Sequence, residues 1–333
     1  MIPCRTLPTM RAQQISELGG PDSLTLVDLP DPVADAGSVL IEVHAAGVSF
    51  PDLLLSQGLY QMKPELPFVP GVDVSGVVIT APEGSDLKPG DRVAAMTGLG
   101  GFAELAAAPA MLTFAIPDSL SFEAAAGFVM NHHTAVFALQ RRGAVQTGET
   151  VLILGAGGGV GTAAIQVSHA LGAKVIAVAS SDATRAAAAA AGAETVLDGA
   201  GDWGPEVKEL TGGRGVDVVV DPVGGEAFTA GLRSLAPEGR LLVIGFAAGA
   251  IPEIAANRIL LRNVSVVGVN WGGFIAGHPS YPAEAAAQLA EWLEQDLIRP
   301  EVGLSYSFDD SAQALRDLGD RKAVAKSVIR VKT

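Results

Sequence analysis

The sequence predicts an α/β fold in which a doubly wound parallel sheet is joined to a second, mostly β domain. Three observations predict it. Short alternating strands crowd the chain before Ser121, strands alternate with helices from Glu149 onward, and a glycine-rich turn stands between the first strand and helix of that alternation. The chain has 333 residues. Domains usually run to roughly 100–200 residues, so two domains are expected.

Each element follows from its local pattern. Leu24 to Leu29 alternates weakly and stops at Pro30-Asp31-Pro32. Ser38 to Ala45 is a stronger strand, with Val39, Ile41 and Val43 set against Ser38, Leu40, Glu42 and His44. Val72 to Thr80 carries Gly76, which predicts a bend or bulge. Pro89-Gly90-Asp91 turns the chain into a strand from Arg92 to Met96. Ser121 is placed to cap a helix through Glu123 to Ala125, and a second helix is expected from Thr134 to Arg141. Strands are expected at Val151 to Leu154, Lys174 to Ala179, Thr195 to Leu197, Val216 to Val220, Arg240 to Ile244 and Val264 to Val269. Their consecutive apolar residues suit a sheet buried on both faces. Helices are expected from Val160 to Leu171 and from Asp182 to Ala191, each closed by a glycine. The tail predicts an amphipathic helix, Ala283 to Leu297, with Ala286, Leu289, Trp292 and Leu293 on one face. A short helix, Ser311 to Leu318, and a last strand, Ser327 to Val331, follow.

Composition removes several classes of function. The net charge is −14 and no basic run exceeds two residues, which argues against nucleic acid or an anionic membrane surface as partner. Cys4 is the single cysteine, so no disulfide forms within the chain and a cytoplasmic location is expected. The opening residues lack the apolar segment of a signal peptide, and Met10 is an alternative start. Glycines interrupt every long apolar stretch, so no membrane span is expected.

The glycine turn, Gly155-Ala-Gly-Gly-Gly-Val-Gly161, follows a strand and opens a helix, the context that makes such a run a dinucleotide site. Ala156-x-Gly158-x-x-Gly161 fits the spacing with alanine in the first place. The free N–H groups of the helix start and its positive dipole end suit a pyrophosphate. This marks a Rossmann domain. An NAD enzyme usually places Asp or Glu at the end of the second strand to hold the ribose 2′-hydroxyl. Here that place is Ser180, which tolerates a 2′-phosphate, and Arg185 lies within reach to pair with it. NADPH is therefore the expected cofactor. The plain alternative for Arg185 is a solvated helix residue, and Asp182 is well placed as a helix cap.

Several separated motifs resemble one family. They are Ala45-Ala-Gly-Val-Ser-Phe-Pro-Asp52, Phe68-Val-Pro-Gly71, Gly90-Asp-Arg-Val93, Gly100-Gly-Phe-Ala-Glu104, the glycine turn and Asp221-Pro-Val-Gly-Gly225. In this order they resemble the zinc-independent quinone oxidoreductase branch of the medium-chain dehydrogenase/reductase superfamily. The resemblance runs from about Met10 to the end. It implies a Rossmann domain, 129–270, inserted into a mostly β, GroES-like barrel domain made of 1–128 plus 271–333, with 1–9 a disordered extension. Substrate and nicotinamide meet between the two domains in such enzymes, and a homodimer is the expected assembly.

The resemblance also implies site residues. Gly158, Gly159 and Val160 should contact the pyrophosphate, and Ser180 and Arg185 the 2′-phosphate. Thr134, Gly245, Phe246, Ala247, Val269 and Asn270 should lie along the nicotinamide half, with Lys326 near the cofactor. Core packing is the alternative for Phe246 and Val269. Zinc-bearing relatives place Cys near Ser49, a His-Glu pair near Val72-Asp73 and a four-cysteine lobe near Met96 to Gly101, and none of those thiols is present. His132 and His133 are adjacent, and adjacent helical residues point about 100 degrees apart, so they do not converge on a metal. No metal is expected. Two departures stand out: Ser49 replaces a frequent Asn, and Gly199 falls where some relatives have an adenine-side Tyr.

Hydride transfer is the cofactor's chemistry, and the protein positions and shields it. An alcohol is hard to ionise without zinc. A quinone or enone needs only a donor for the developing oxyanion. Ser49 and Tyr60 are the candidate donors, with Asp52 orienting one of them; a helix cap is the alternative for Asp52. The expected substrate is a small-molecule quinone. An enone reductase on the same scaffold is the nearest alternative, and a non-catalytic NADPH-binding sensor or interaction protein is one of another class. RNA binding, found among relatives, is disfavoured by the charge.

Overall fold

The computed structural model describes residues 8–332. Cys4 and most of the expected extension lie outside them, while Thr9 begins the first strand. In chain order the elements are β1 (Thr9–Ile15), β2 (Leu24–Pro30), β3 (Ser38–Gly47), α1 (Phe50–Ser56), β4 (Asp73–Thr80), β5 (Arg92–Met96), β6 (Leu105–Pro109), β7 (Thr113–Ala115) and α2 (Phe122–Ala126). Next come α3 (Phe128–Val136) and a π-helical turn, Phe137–Arg142. Strands and helices then alternate: β8 (Thr150–Leu154), α4 (Gly159–Ala170), β9 (Lys174–Ala179), α5 (Asp182–Ala190), β10 (Thr195–Asp198), α6 (Gly204–Leu210), β11 (Val216–Asp221), α7 (Gly225–Ser234), β12 (Leu235–Val243), α8 (Ala256–Leu260) and β13 (Ser265–Gly268). The tail holds α9 (Trp271–Ile275), α10 (Tyr281–Glu294), β14 (Val302–Ser307), α11 (Ser311–Gly319) and β15 (Lys326–Arg330).

The chain forms two compact units. One runs to Met130 and resumes at Val302; the other is Asn131–Glu301. The first is built on a seven-stranded sheet in the order β14-β15-β3-β4-β5-β7, with β6 on β3, and a separate β1-β2 ribbon. Alternation places the core as the pattern predicts: Val39, Ile41 and Val43 of β3 are buried and their neighbours are half-buried. Phe102, Leu55, Val74 and Ile329 pack with them. β1 gives no clear sequence signal, because Arg11, Gln13 and Gln14 are poor strand formers. It is set by pairing with β2 and by the buried Gln13 amide, which donates to the Phe308 carbonyl at 2.8 Å.

Gly76 explains itself in the pairing. The register of β3 against β4 shifts between Val43 and Ala45, opposite Gly76 and Ser75. A Cβ on Gly76 would lie 1.9 Å from the Glu42 carbonyl oxygen. The expected bulge is present, and the glycine is there because another backbone occupies its side-chain space.

The second unit holds six parallel strands in the order β10-β9-β8-β11-β12-β13. The order reverses between β8 and β11, which leaves a crevice beyond the carboxyl ends of those two strands. Val151 to Leu154 and Val218 to Val220 are buried without alternation, as a covered parallel strand requires. Arg240 of β12 donates both terminal nitrogens to Glu149, at 2.7 and 2.6 Å, and so pins the start of β8.

The return to the first unit falls at Val302, not at 271 as expected. Side chains decide this. Trp271 packs its ring 5.4 Å from that of His133, Phe274 packs 4.8 Å from Phe137, and the Gln166 amide brackets the Arg299 backbone at 2.8 and 3.0 Å. α10 buries Ala285, Leu289 and Trp292, a face turned one residue from the expected one. The helix expected from Thr134 to Arg141 starts earlier, at Phe128, and ends in the π turn. Among the described residues no helix is long and apolar enough to cross a membrane.

The bulge yields a direct test. Gly76→Ala should destabilise the protein by more than about 2 kcal/mol, because the neighbouring backbone must shift. A urea unfolding curve measures it, and an unchanged midpoint would contradict the steric reading.

Candidate active site

In the second unit most of the expected cofactor residues stand at the carboxyl edge of one sheet, whereas Thr134 lies in α3 and Lys326 on β15 of the first unit. The turn after β8 starts with Gly155 at φ +59°, a conformation that favours glycine. Gly161 lets α4 approach: a Cβ there would sit 2.4 Å from the Gly155 carbonyl oxygen. Gly158 differs. It caps α4 at φ −90°, and a Cβ on it would meet only the Gly155 carbonyl oxygen, at 3.5 Å. The space above Gly158 is open, and a side chain would fill it. No side chain caps α4, so among the described residues Gly159 and Val160 present first-turn N–H groups without an acceptor. An open cradle under such donors is what a pyrophosphate needs.

The other edge residues stand at successive strand ends. Ser180 follows β9 and is exposed; Arg185 lies one turn into α5. Gly245, Phe246 and Ala247 follow β12, and Val269 and Asn270 follow β13. Phe246 is 38% exposed, so it is not a core residue, whereas Val269 is buried and its N–H donates to Val243. Asn270 caps α9 through the Gly273 N–H at 2.9 Å. Thr134 is buried in α3. His132 and His133 are buried packing residues, His132 within 3.3 Å of the Gln166 side chain.

The motif at Asp221 contains a buried acid to which sequence reasoning assigns no role. Its buried carboxylate accepts from Val223 and Gly224 N–H at 2.8 and 2.9 Å, and its carbonyl accepts from Ile244. It thereby holds the turns after β11 and β12. Burial pushes this carboxyl up from the usual range, opposed by those two N–H groups.

In the first unit Ser49, Asp52 and Lys326 come together with Asp73. Lys326 Nζ donates to Ser49 Oγ at 2.6 Å, and Ser49 Oγ donates to Asp73 Oδ1 at 3.2 Å. Lys326 Nζ also lies 3.2 Å from Asp73 Oδ2. Lys326 is only 7% exposed, and Asp73 is fully buried. The Asp73 carboxyl is pushed up by burial and held back by Lys326. Gly127 makes room for the lysine, because a Cβ there would lie 2.2 Å from its Cγ. The only sequence signal for Asp73 is a carboxylate inside an apolar strand.

Asp52 is equally buried, and both its oxygens are occupied. Oδ2 accepts from the Ser49 N–H at 3.0 Å and Oδ1 from the Gly71 N–H at 2.9 Å. It is the third residue of α1 reaching back to the N-cap Ser49, so it positions Ser49 and the Gly71 turn. Burial first, then the neighbouring charge of Asp73, raises its pKa to about 7. Tyr60 is half-buried against the same core and is raised by burial and by Asp52. Among the described residues no group of three or more His, Cys, Asp or Glu is placed to hold a metal.

Because the folded pKa of Asp52 lies above the unfolded value of about 3.9, its contribution is full below that value and is lost as pH rises through about 7. Asp52→Asn should remove this loss. It should also cost about 1–3 kcal/mol, since one of two buried N–H groups loses its acceptor. Urea midpoints of both proteins across this range test it. A difference between them that does not vary with pH would contradict the assignment.

Comparison with known proteins agrees with this architecture. A family model described as "Alcohol dehydrogenase GroES-like domain" matches residues 35–118, and one described as "Zinc-binding dehydrogenase" matches 159–292. Quinone oxidoreductase-like protein 2 of Bos taurus is 36% identical over 97% of this chain and 93% of its own. A crystal structure of a probable oxidoreductase from Mycobacterium abscessus is 43% identical, with a TM-score of 0.89 over 98% of this chain and all of that one. The quinone oxidoreductase of Thermus thermophilus, solved also in complex with NADPH, is 38% identical, with a TM-score of 0.83 over 97% of this chain and all of its own. With both units matched and the motifs in order, the chain belongs to the quinone oxidoreductase branch of the medium-chain dehydrogenase/reductase superfamily.

Proposed function

We propose that this protein is an NADPH-dependent, zinc-free reductase that passes a hydride to a quinone. The observation that carries the reading is the open cradle over Gly158 beneath unpartnered N–H groups, with Ser180 where an NAD enzyme has an acid. Related quinone oxidoreductases bind NADPH, which supports the same cofactor here. The donor set of the first unit does not suit zinc. Ser49, Val72 and Asp73 stand where zinc-bearing relatives place Cys and a His-Glu pair, and the sequence has no cysteine beyond Cys4.

NADPH, when bound, supplies the hydride. The N–H groups of Gly159 and Val160 would hold the pyrophosphate, and Ser180 and Arg185 would receive the 2′-phosphate. Gly245, Phe246, Ala247, Val269, Asn270 and Thr134 would line the nicotinamide half. Ser49 is the donor to the developing oxyanion, turning its one O–H from Asp73 Oδ1 to the substrate. An ammonium donating to a hydroxyl oxygen polarises its O–H, so Lys326 makes Ser49 a stronger donor, and the contact with Asp73 holds the lysine in place. Lys326 thus acts through Ser49. Asp52 fixes the Ser49 backbone, and Tyr60 is the second donor. A hydride brings the quinone two electrons and one hydrogen, so one proton completes the hydroquinone; Ser49 passes its proton to the reduced oxygen, Lys326 replaces it, and water restores the proton to Lys326.

NADPH consumption against quinones and enones tests the substrate. Quinones should be turned over faster, and faster enone turnover would transfer the reading to an enone reductase. Binding of NADPH without turnover of any acceptor would leave a sensor or interaction protein. Ser49→Ala should lower kcat about a hundredfold with NADPH affinity unchanged. Tyr60→Phe should lower it less, by about tenfold. If both variants keep full kcat, the donor assignment is wrong.

A further inference from the structure

The guanidinium expected to read the 2′-phosphate is already engaged by two carboxylates. Arg185 Nη1 donates to Asp198 Oδ1 at 2.8 Å, and Nη2 pairs with Asp182 Oδ1. Asp198 ends β10, the strand beside β9, and Asp182 is the first residue of α5. Both carboxylates are solvent-accessible, at 57% and 99% of their side-chain surface, while the guanidinium is 27% exposed. One guanidinium against two carboxylates leaves this cluster with an excess of negative charge. The nearest hydroxyls add little: Ser181 is occupied by its capping contacts with Thr184, which leaves Ser180.

We infer that Asp198 and Asp182 set the cofactor preference of this enzyme by holding Arg185 partly neutralised, which restrains the advantage of NADPH over NADH. The inference rests on the cofactor reading above and deepens it. A dianionic 2′-phosphate must share Arg185 with two carboxylates and meets like charge from both. NADH, with a neutral 2′-hydroxyl, meets no such repulsion. The chain therefore keeps usable NADH affinity even though no acid stands at Ser180.

Equilibrium dissociation constants for NADPH and NADH, measured by calorimetry on the full-length protein at fixed ionic strength, test this. Asp198→Asn keeps an acceptor for the Ala200 N–H, which Asp198 Oδ1 now bonds at 3.0 Å, and Asp182→Asn changes an exposed residue. Each should tighten NADPH by about fivefold, as expected from removing one exposed ion pair, with NADH changed by less than about twofold. Added salt should shrink the NADPH gain. Arg185→Ala should weaken NADPH alone. If Arg185→Ala weakens NADPH selectively but neither Asn variant tightens it, the carboxylates do not govern preference and the inference fails while the cofactor reading stands. If Arg185→Ala leaves NADPH unaffected, the 2′-phosphate role of Arg185 and this inference fall together.

Discussion

Burial of Asp52 and Asp73 constrains everything around them in the first unit. An ionised carboxylate removed from water is costly unless it is paired or richly hydrogen-bonded. Asp73 is paired by Lys326 and Ser49, and Asp52 is satisfied by two backbone N–H groups. The lysine arrives on β15, the serine at the start of α1 and the two acids on α1 and β4, so the cluster ties the tail of the chain to its beginning. Burial first, and then the neighbouring charge of Asp73, hold the Asp52 carboxyl up at about 7. Each Asp52 oxygen accepts a backbone N–H, from Ser49 and from Gly71, and so fixes the start of α1.

Sterics play the corresponding part in the second unit. Gly161 is required by the protein itself, since a neighbouring backbone occupies its side-chain space. Gly158 is not, since a Cβ there would meet only the Gly155 carbonyl oxygen, at 3.5 Å. Parallel strands bring the remaining residues to the same edge because every strand of the sheet ends there. Asp221 holds two of those strand-end turns through backbone hydrogen bonds.

The second unit is largely legible in the sequence. Apolar runs, glycine-closed helices and the turn at Gly155 to Gly161 are local signals, and the six strands lie close to where they are expected, except that β12 already starts at Leu235. The site of the first unit is legible only in part. Ser49 and Asp52 sit close together, but Lys326 is 277 residues from Ser49, and no local pattern announces that pairing. The sequence places Arg185 within reach of a 2′-phosphate but does not show its pairing with Asp198, which stands 13 residues on at the end of β10. The expected boundary at 271 is misplaced for a similar reason: an amphipathic helix declares that it has a buried face, and Phe137, His133 and Gln166 decide which core covers it. β1 escapes sequence reading because its pairing, not its composition, makes it a strand.

Direct hydride transfer from NADPH to a quinone without a metal is the central claim. The most direct measurement is a single turnover of protein treated with chelator and shown metal-free by elemental analysis, using NADPH carrying deuterium at the transferred position of C4. Full activity relative to untreated protein, and a slower reduction step with deuterium, are the expected results. Loss of activity that added zinc restores, or a quinone-reduction rate indifferent to deuterium under conditions where reduction is the observed step, would contradict the claim.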